Sequence, residues 1–376
     1  MFGGRPADPA ESRPARRAEV MSDQSQSHPS EKPLVIVDPH FRRMDEVFAP
    51  ADLERLRAVA RVVWAKDEQM PIDELRAVLP EAEAIVCSSW RYGNDFLDAA
   101  PKLRAILSVS GAFLPDLDTE KCYERRIRVL SASPAFGPQV AEMALGMALA
   151  CSREIVLGDT AMRNGEEKWL HEGNESTFLL YGKPVGLIGY GALARSLRPL
   201  LAPFGCPIAV YDPWLSPGYL RNQGVEPMGL EELLAASKVI FVLAIPTIEN
   251  RALLTRDLLE RIQPGAVLAL ISRAHVVDFG ALTDLVLAGR FKAAIDVFPT
   301  EPMPLDHPIR RAPNVVLSAH RAGSVPEGLL DIGQMVVDDL ESILLGLPPQ
   351  RMLSLQPELA IRYASNRASG AAGSRQ

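Results

Sequence analysis

From Pro184 to Ala319 the chain alternates short apolar runs with longer amphipathic ones, and no other feature of the sequence restricts the fold as much. Val185–Ile188, Ile208–Tyr211, Val239–Ile245, Val267–Ile271, Ala293–Ile295 and Val315–Ala319 are apolar on both faces. A strand of that kind has to be covered on both sides, so these runs predict the interior of a parallel sheet. The helical stretches between most of them complete the βαβ pattern of a doubly wound α/β domain. A looser alternation comes first. Leu34–Val37, Ala84–Cys87 and Ala105–Val109 read as strands, and Pro50–Ala60 and Pro138–Ser152 as helices. Pro138 sits where proline starts a helix. The expectation is an α/β chain of two domains, as 376 residues favour.

Composition narrows the class. The chain is 47% hydrophobic and 23% charged, the balance of a globular protein, with no apolar run long enough to span a bilayer. A formal charge of −7 without a Lys/Arg block argues against a nucleic-acid partner, and no membrane partner is expected. Cys87, Cys122, Cys151 and Cys206 form no C-x-x-C pair, which argues against a metal site and fits free thiols in the cytoplasm. Residues 1–31 are polar and rich in Ser, Pro and Arg, too poor in apolar side chains to fold. Met21 offers a second start, so residues 1–20 are either an over-called start or a dispensable tail. Residues 365–376 read as a flexible tail.

Between the first two strong strands lies Gly189-x-Gly191-x-x-Ala194. Gly189 permits a tight turn, Gly191 lets a pyrophosphate approach the backbone, and Ala194 lets the following helix pack close to the strand. Ala192 and Leu193 open that helix, whose first N–H groups can face phosphates. The next strand ends at Asp212, about 21 residues past Gly191. An acid there binds ribose hydroxyls and repels a 2′-phosphate, so NAD is expected rather than NADP.

Ligands of open α/β sheets lie beyond the carboxyl ends of the strands. Those ends read Gly189, Asp212, Pro246, Arg273, Asp296 and His320, with Glu301 five residues after Asp296. Among the histidines only His320 stands at a strand end followed by a small-residue turn, Ala322-Gly323. A histidine there can move a proton near neutral pH, since its unperturbed pKa is ~6.5.

These motifs resemble the D-isomer-specific 2-hydroxyacid dehydrogenases over roughly residues 33–348. The likeness is densest in Val185–Asp212, Pro264-Gly-Ala-Val-Leu268, Ser272-Arg273, Ala294-Ile-Asp-Val-Phe298, Glu301-Pro302, Asp306-His-Pro308 and Ala319-His-Arg-Ala-Gly323. Earlier in the chain it rests on Ala100-Pro-Lys-Leu-Arg104 and Val140-Ala-Glu142. The resemblance implies a Rossmann cofactor domain (134–323) inserted into a flavodoxin-like substrate domain (32–133 with 324–349), between an N-terminal tail and a C-terminal tail from 350. It implies a homodimer built through the cofactor domains and the arm around residues 160–180. It implies hydride transfer between NAD(H) and a 2-keto or 2-hydroxy acid. In that scheme His320 is the acid/base, Glu301 its partner, and Arg273 binds the substrate. The cofactor would be held by Gly189, Gly191, Ala192, Leu193, Asp212, Pro246, Ser272, Asp296 and His320. Ser110, Gly111 and Ala112 would take the substrate carboxylate.

The sequence also departs from the family pattern. Ala192-Leu193 stands where the glycine loop usually has Arg-Ile, and Leu270 where an asparagine is usual. The substrate loop reads Gly111-Ala112-Phe113-Leu114-Pro115-Asp116, with Phe113 for a glycine and Pro115 for an aspartate. Arg321 replaces an apolar residue; it either adds a cation for a doubly anionic substrate or points to solvent. Trp90, Arg91, Phe113 and Arg321 are the candidates for selecting the substrate. The altered loop keeps open an alternative, a non-catalytic NAD-binding regulator of the same family.

Overall fold

The protein is described by a computed structural model covering residues 32–364 apart from Asn94, Pro115 and Ile248. The expectations for residues 1–31, Met21, Pro115 and 365–376 lie outside the described residues. In chain order the strands are β1 (Leu34–Asp38), β2 (Arg61–Trp64), β3 (Ala82–Cys87), β4 (Ala105–Ser108), β5 (Arg128–Ser131), β6 (Val185–Ile188), β7 (Ile208–Tyr211), β8 (Glu226–Pro227), β9 (Val239–Val242), β10 (Val267–Leu270), β11 (Lys292–Ile295), β12 (Val315–Leu317) and β13 (Leu353–Ser354). They form two sheets, ordered β13-β5-β4-β3-β1-β2 and β12-β11-β10-β9-β6-β7-β8. Every pairing is parallel except the edge pair β13–β5. The doubly wound α/β expectation holds.

Burial explains why the central strands are apolar. Alternate residues of the seven-stranded sheet feed two separate cores. Ile188, Ile240, Val242, Leu268, Leu270 and Ile295 enter one, while Leu187, Val239, Phe241, Val267, Ala269 and Ala294 enter the other. The six-stranded sheet divides the same way, with Ile36, Ile85 and Ile106 on one side and Val35, Val37, Val86 and Leu107 on the other. Each fully buried aliphatic side chain contributes about 1.5–3 kcal/mol. The helix Gly137–Ser152 packs on the seven-stranded sheet through Ala141, Ala144 and Ala148. The helix Pro326–Leu344 returns to the six-stranded sheet through Ile332, Val336 and Leu340. Both sheets belong to one compact unit from Pro33 onward.

Some boundaries differ from the expected ones. The run Val239–Ile245 is strand only to Val242, because the chain then crosses the glycine loop: a Cβ built on Gly189 would lie 2.8 Å from both Cα and N of Ala244. The run Val315–Ala319 stops at Leu317. The stretch from residue 350, expected as tail, is ordered structure as far as Ala364. β13 pairs with β5, and the helix Pro357–Ala364 follows, with Leu355 and Ala360 buried in the core. Those apolar side chains complete one face of the six-stranded sheet.

Candidate active site

The glycine loop leaves the carboxyl end of β6. Gly189 takes a φ of +90°, and a Cβ on Gly191 would meet nothing within 4 Å, so the loop presents an open backbone surface. Gly191 caps the helix Ala192–Leu201, and the N–H groups of Ala192 and Leu193 belong to its first turn, where no partner exists within a helix. Asp212, at the end of β7, braces the loop: its carboxylate accepts from Tyr190 N at 2.8 Å and Trp214 N at 3.0 Å. A carboxylate has about four acceptor sites, so capacity remains for hydroxyls. Pro246 lies in a turn after β9 closed by Asn250, which donates to Ile245 O at 2.7 Å and accepts from Thr247 N at 2.8 Å. Ser272, after β10, is buried, and its Oγ has no partner among the described residues. A buried, unsatisfied hydroxyl, an open glycine backbone and an acid, each at a strand end of one sheet, fit a dinucleotide.

The titratable cluster lies on the neighbouring strand ends. His320 follows β12 in the left-handed backbone region (φ +53°), uncommon for a residue with a side chain. Its N–H donates to Asp296 O at 2.8 Å. The Asp296 carboxylate is 1% exposed and accepts from Arg321 N at 2.9 Å and Ala322 N at 3.1 Å. Asp296 therefore holds the turn that displays the histidine. His320 Nδ1 lies 2.7 Å from Glu301 Oε2, and Glu301 Oε1 accepts from Phe298 N at 2.9 Å. With Nδ1 occupied, Nε2 is the ring nitrogen left for a ligand. Arg273 is open to solvent but set in a crowded recess. Its Nη1 donates to Ser272 O at 2.7 Å. Desolvation lowers its pKa, and the charges of Glu301 and Asp296 offset only part of that. Arg273, Asp296, Glu301 and His320 thus form one electrostatic group.

The loop after β4 faces this group. Ser108 Oγ and Ser110 Oγ donate to Ala112 O at 3.1 and 3.0 Å, and Ser131 Oγ donates to Ser110 O at 3.2 Å. The ring of Phe136 joins the loop to the histidine turn. A Cβ built on Gly111 would sit 3.2 Å from Phe136 Cδ2, and one on Gly323 would sit 2.9 Å from Phe136 Cδ1. One phenyl ring therefore separates Ser110–Ala112 from the turn after His320. Sequence reading missed Phe136, because its partners are distant in the chain and no motif marks it.

Of the other candidates, Trp90, Arg91 and Phe113 look inward. Trp90 is buried, with Nε1 donating to Gly93 O at 3.2 Å. Arg91 pairs with the buried Asp38 at 2.9 Å, which also accepts from Tyr92 OH at 2.6 Å. Phe113 packs against the same core. Arg321 is exposed. His275 Nε2 lies 2.8 Å from Thr247 O, tying two strand-end loops together. A cavity of about 510 Å³, lined by Glu154, Ser176, Lys238, Lys292 and Asn314 among others, lies at the opposite, amino ends of β9–β12. It contains none of these groups. Among the described residues no cluster suits a metal ion, and no helix is long and apolar enough to cross a membrane.

Comparison with known proteins bears on the same region. Residues 145–322 match the family model described as D-isomer specific 2-hydroxyacid dehydrogenase, NAD binding domain. The chain is 32% identical over 300 residues to a D-3-phosphoglycerate dehydrogenase of Mycobacterium tuberculosis, covering 79% of this chain and 56% of the relative. It thus spans about half the length of the curated relatives matched first. It is 31% identical to a hydroxypyruvate reductase of Thermotoga maritima, covering 73% of this chain and 88% of that one. Among solved structures, a phosphoglycerate oxidoreductase from Rhizobium etli superposes with a TM-score of 0.75 at 37% identity, covering 86% of this chain and 99% of that one.

Proposed function

The chain belongs to the D-isomer-specific 2-hydroxyacid dehydrogenase family, and from that premise we propose that it reduces a small 2-keto acid to the 2-hydroxy acid with NADH. The observation that carries this reading is the 2.7 Å contact between His320 Nδ1 and Glu301 Oε2, at strand ends shared with Arg273. Bound NADH supplies the hydride for the carbonyl carbon. His320 donates the proton to the carbonyl oxygen from Nε2, and Glu301 holds the ring in place through Nδ1. Arg273 offers a planar fork to the substrate carboxylate and polarises the carbonyl. The Gly111 N–H takes the other side of that carboxylate, while the Ser110 and Ala112 N–H groups are turned to the Ser108 and Ser110 hydroxyls. Asp212 accepts the ribose hydroxyls and disfavours NADP. The relatives' names point to hydroxypyruvate, glyoxylate or a phosphorylated 3-carbon analogue as the substrate class.

The test is NADH consumption with glyoxylate, hydroxypyruvate, pyruvate, phenylpyruvate, 2-oxoglutarate and phosphohydroxypyruvate. The expected result is turnover on at least one acid that disappears in His320→Ala. NADH binding with no turnover on any acid would overturn it in favour of a non-catalytic regulator.

The same reading includes a homodimer. The helix Ile155–Asn164 buries none of its residues in the chain, and Ile155, Val156, Met162, Trp169 and Leu170 are all exposed. That apolar arm suits a second copy, and sedimentation at twice the chain mass is the expected result. All four cysteines are free, as expected of a cytoplasmic enzyme.

A further inference from the structure

We propose that Phe136 is a positioning residue: its ring sets the spacing between the substrate loop Ser110–Ala112 and the turn that carries His320. The role rests on the reading above, in which that loop and that histidine act on one substrate. The ring meets both partners at glycines, and the closeness is specific. A Cβ at 3.2 Å is tighter than nine in ten real Cβ contacts, and one at 2.9 Å is nearly unknown among them. Neither Gly111 nor Gly323 has a left-handed backbone, so the turn itself does not demand glycine at either position. What excludes a side chain there is the ring.

The contacts around Phe136 support the assignment. The segment that carries it joins β5 to the helix Gly137–Ser152 and grips both loops a second time. Upstream, Ser131 Oγ donates to Ser110 O. Downstream, Gln139 Oε1 accepts from Val325 N at 3.0 Å, just beyond the histidine turn. At Gly137 the same segment abuts the helix of the glycine loop, where an added Cβ would lie 2.4 Å from Ser196 Oγ. Phe136 packs against cores of both sheets. Residues 131–139 are therefore a joint touching the substrate loop, the histidine turn and the cofactor helix. A phenyl ring has only two rotatable bonds and fills a fixed width, so it suits a spacer. Misplacement of reacting groups by about 1 Å can cost a hundredfold in rate.

A suppression experiment tests this. Gly323→Ala alone should lower kcat by about tenfold or more, because the new methyl drives the ring and the turn apart. Phe136→Ala alone should lower kcat by about tenfold to a hundredfold while leaving the Kd for NADH unchanged. The double variant Phe136→Ala/Gly323→Ala should be no slower than Phe136→Ala, since the methyl then occupies the space the ring vacated. Losses that multiply in the double variant, or wild-type kcat in Phe136→Ala, would overturn the proposal. Hydrogen exchange gives a readout independent of turnover. Phe136→Ala should raise exchange at residues 110–114 and 319–325 together and leave β6 and β9 unchanged. Exchange rising at neither loop would overturn the spacer role. If the wild-type protein reduces no keto acid but exchange rises at both loops, the dehydrogenase reading fails and the spacer stands.

Discussion

β11 has a buried charge at each end, and the two ends do different work. At its amino end Lys292 is 7% exposed and donates to Glu154 Oε1 at 2.7 Å and Ser176 O at 2.8 Å. Immediately past its carboxyl end, Asp296 is as deeply buried but forms no ion pair among the described residues: it accepts from the backbone N–H groups of Arg321 and Ala322. The lysine closes an ion pair against the start of the exposed arm. The aspartate shapes a turn whose side chain, His320, remains open to a ligand. Burial alone therefore does not mark a functional charge. The discriminating feature is whether the partner group in turn presents chemistry to solvent.

Three perturbations sharpen that contrast. Lys292→Met leaves the Glu154 carboxylate without its cation in a mostly buried place, and should cost about 3–5 kcal/mol of stability. Thermal unfolding would read the loss. Turnover per folded molecule should stay near wild type, and a fall in turnover as large as that in stability would erase the distinction. Asp296→Asn keeps the shape but turns an N–H donor toward a backbone N–H, losing a charge-assisted hydrogen bond of about 1.5–3 kcal/mol. This loss should fall on kcat, through the His320 turn, by about tenfold to a hundredfold. Steady-state kinetics beside a melting curve separates the two outcomes.

The smallest effect is a pH dependence. Burial opposes ionisation of Glu154, but the hydrogen bonds from Lys292 and Ser176 outweigh it, so its pKa lies below the ordinary carboxylate value. A depressed folded pKa stabilises the protein above the unfolded value of about 4.3, and that stability disappears as pH falls through the folded value. In Lys292→Met only burial and the Ser176 bond act on Glu154, so the stability gap between variant and wild type should narrow as pH falls below about 4.3, read from denaturant unfolding at each pH by circular dichroism. A gap that stays constant with pH would mean that the Lys292–Glu154 charge pair contributes nothing to folding.

Much of this was legible in the sequence, for local reasons. Strands β6, β9 and β10 are apolar on both faces because they are buried on both, and that pattern needs no knowledge of neighbours. Parallel strands place their ends on one edge, so Asp212, Arg273, Asp296 and His320 could be gathered from the order of runs alone. Strands β2 and β5 escaped notice: each is four residues long and opens on an arginine, and β2 is nowhere fully buried. β13 escaped because two residues carry no periodicity.

What the sequence by itself determined was the architecture and the chemical inventory, since hydrophobic period and strand-end position are properties of consecutive residues. The tertiary structure decided which members of the inventory meet. It turned Trp90 and Arg91 inward, assigned Asp296 to the backbone of the His320 turn, and set one phenyl ring between Gly111 and Gly323. Those outcomes depend on contacts between segments far apart in the chain. Such contacts are fixed by packing two sheets and their helices into one body, and no local pattern records them.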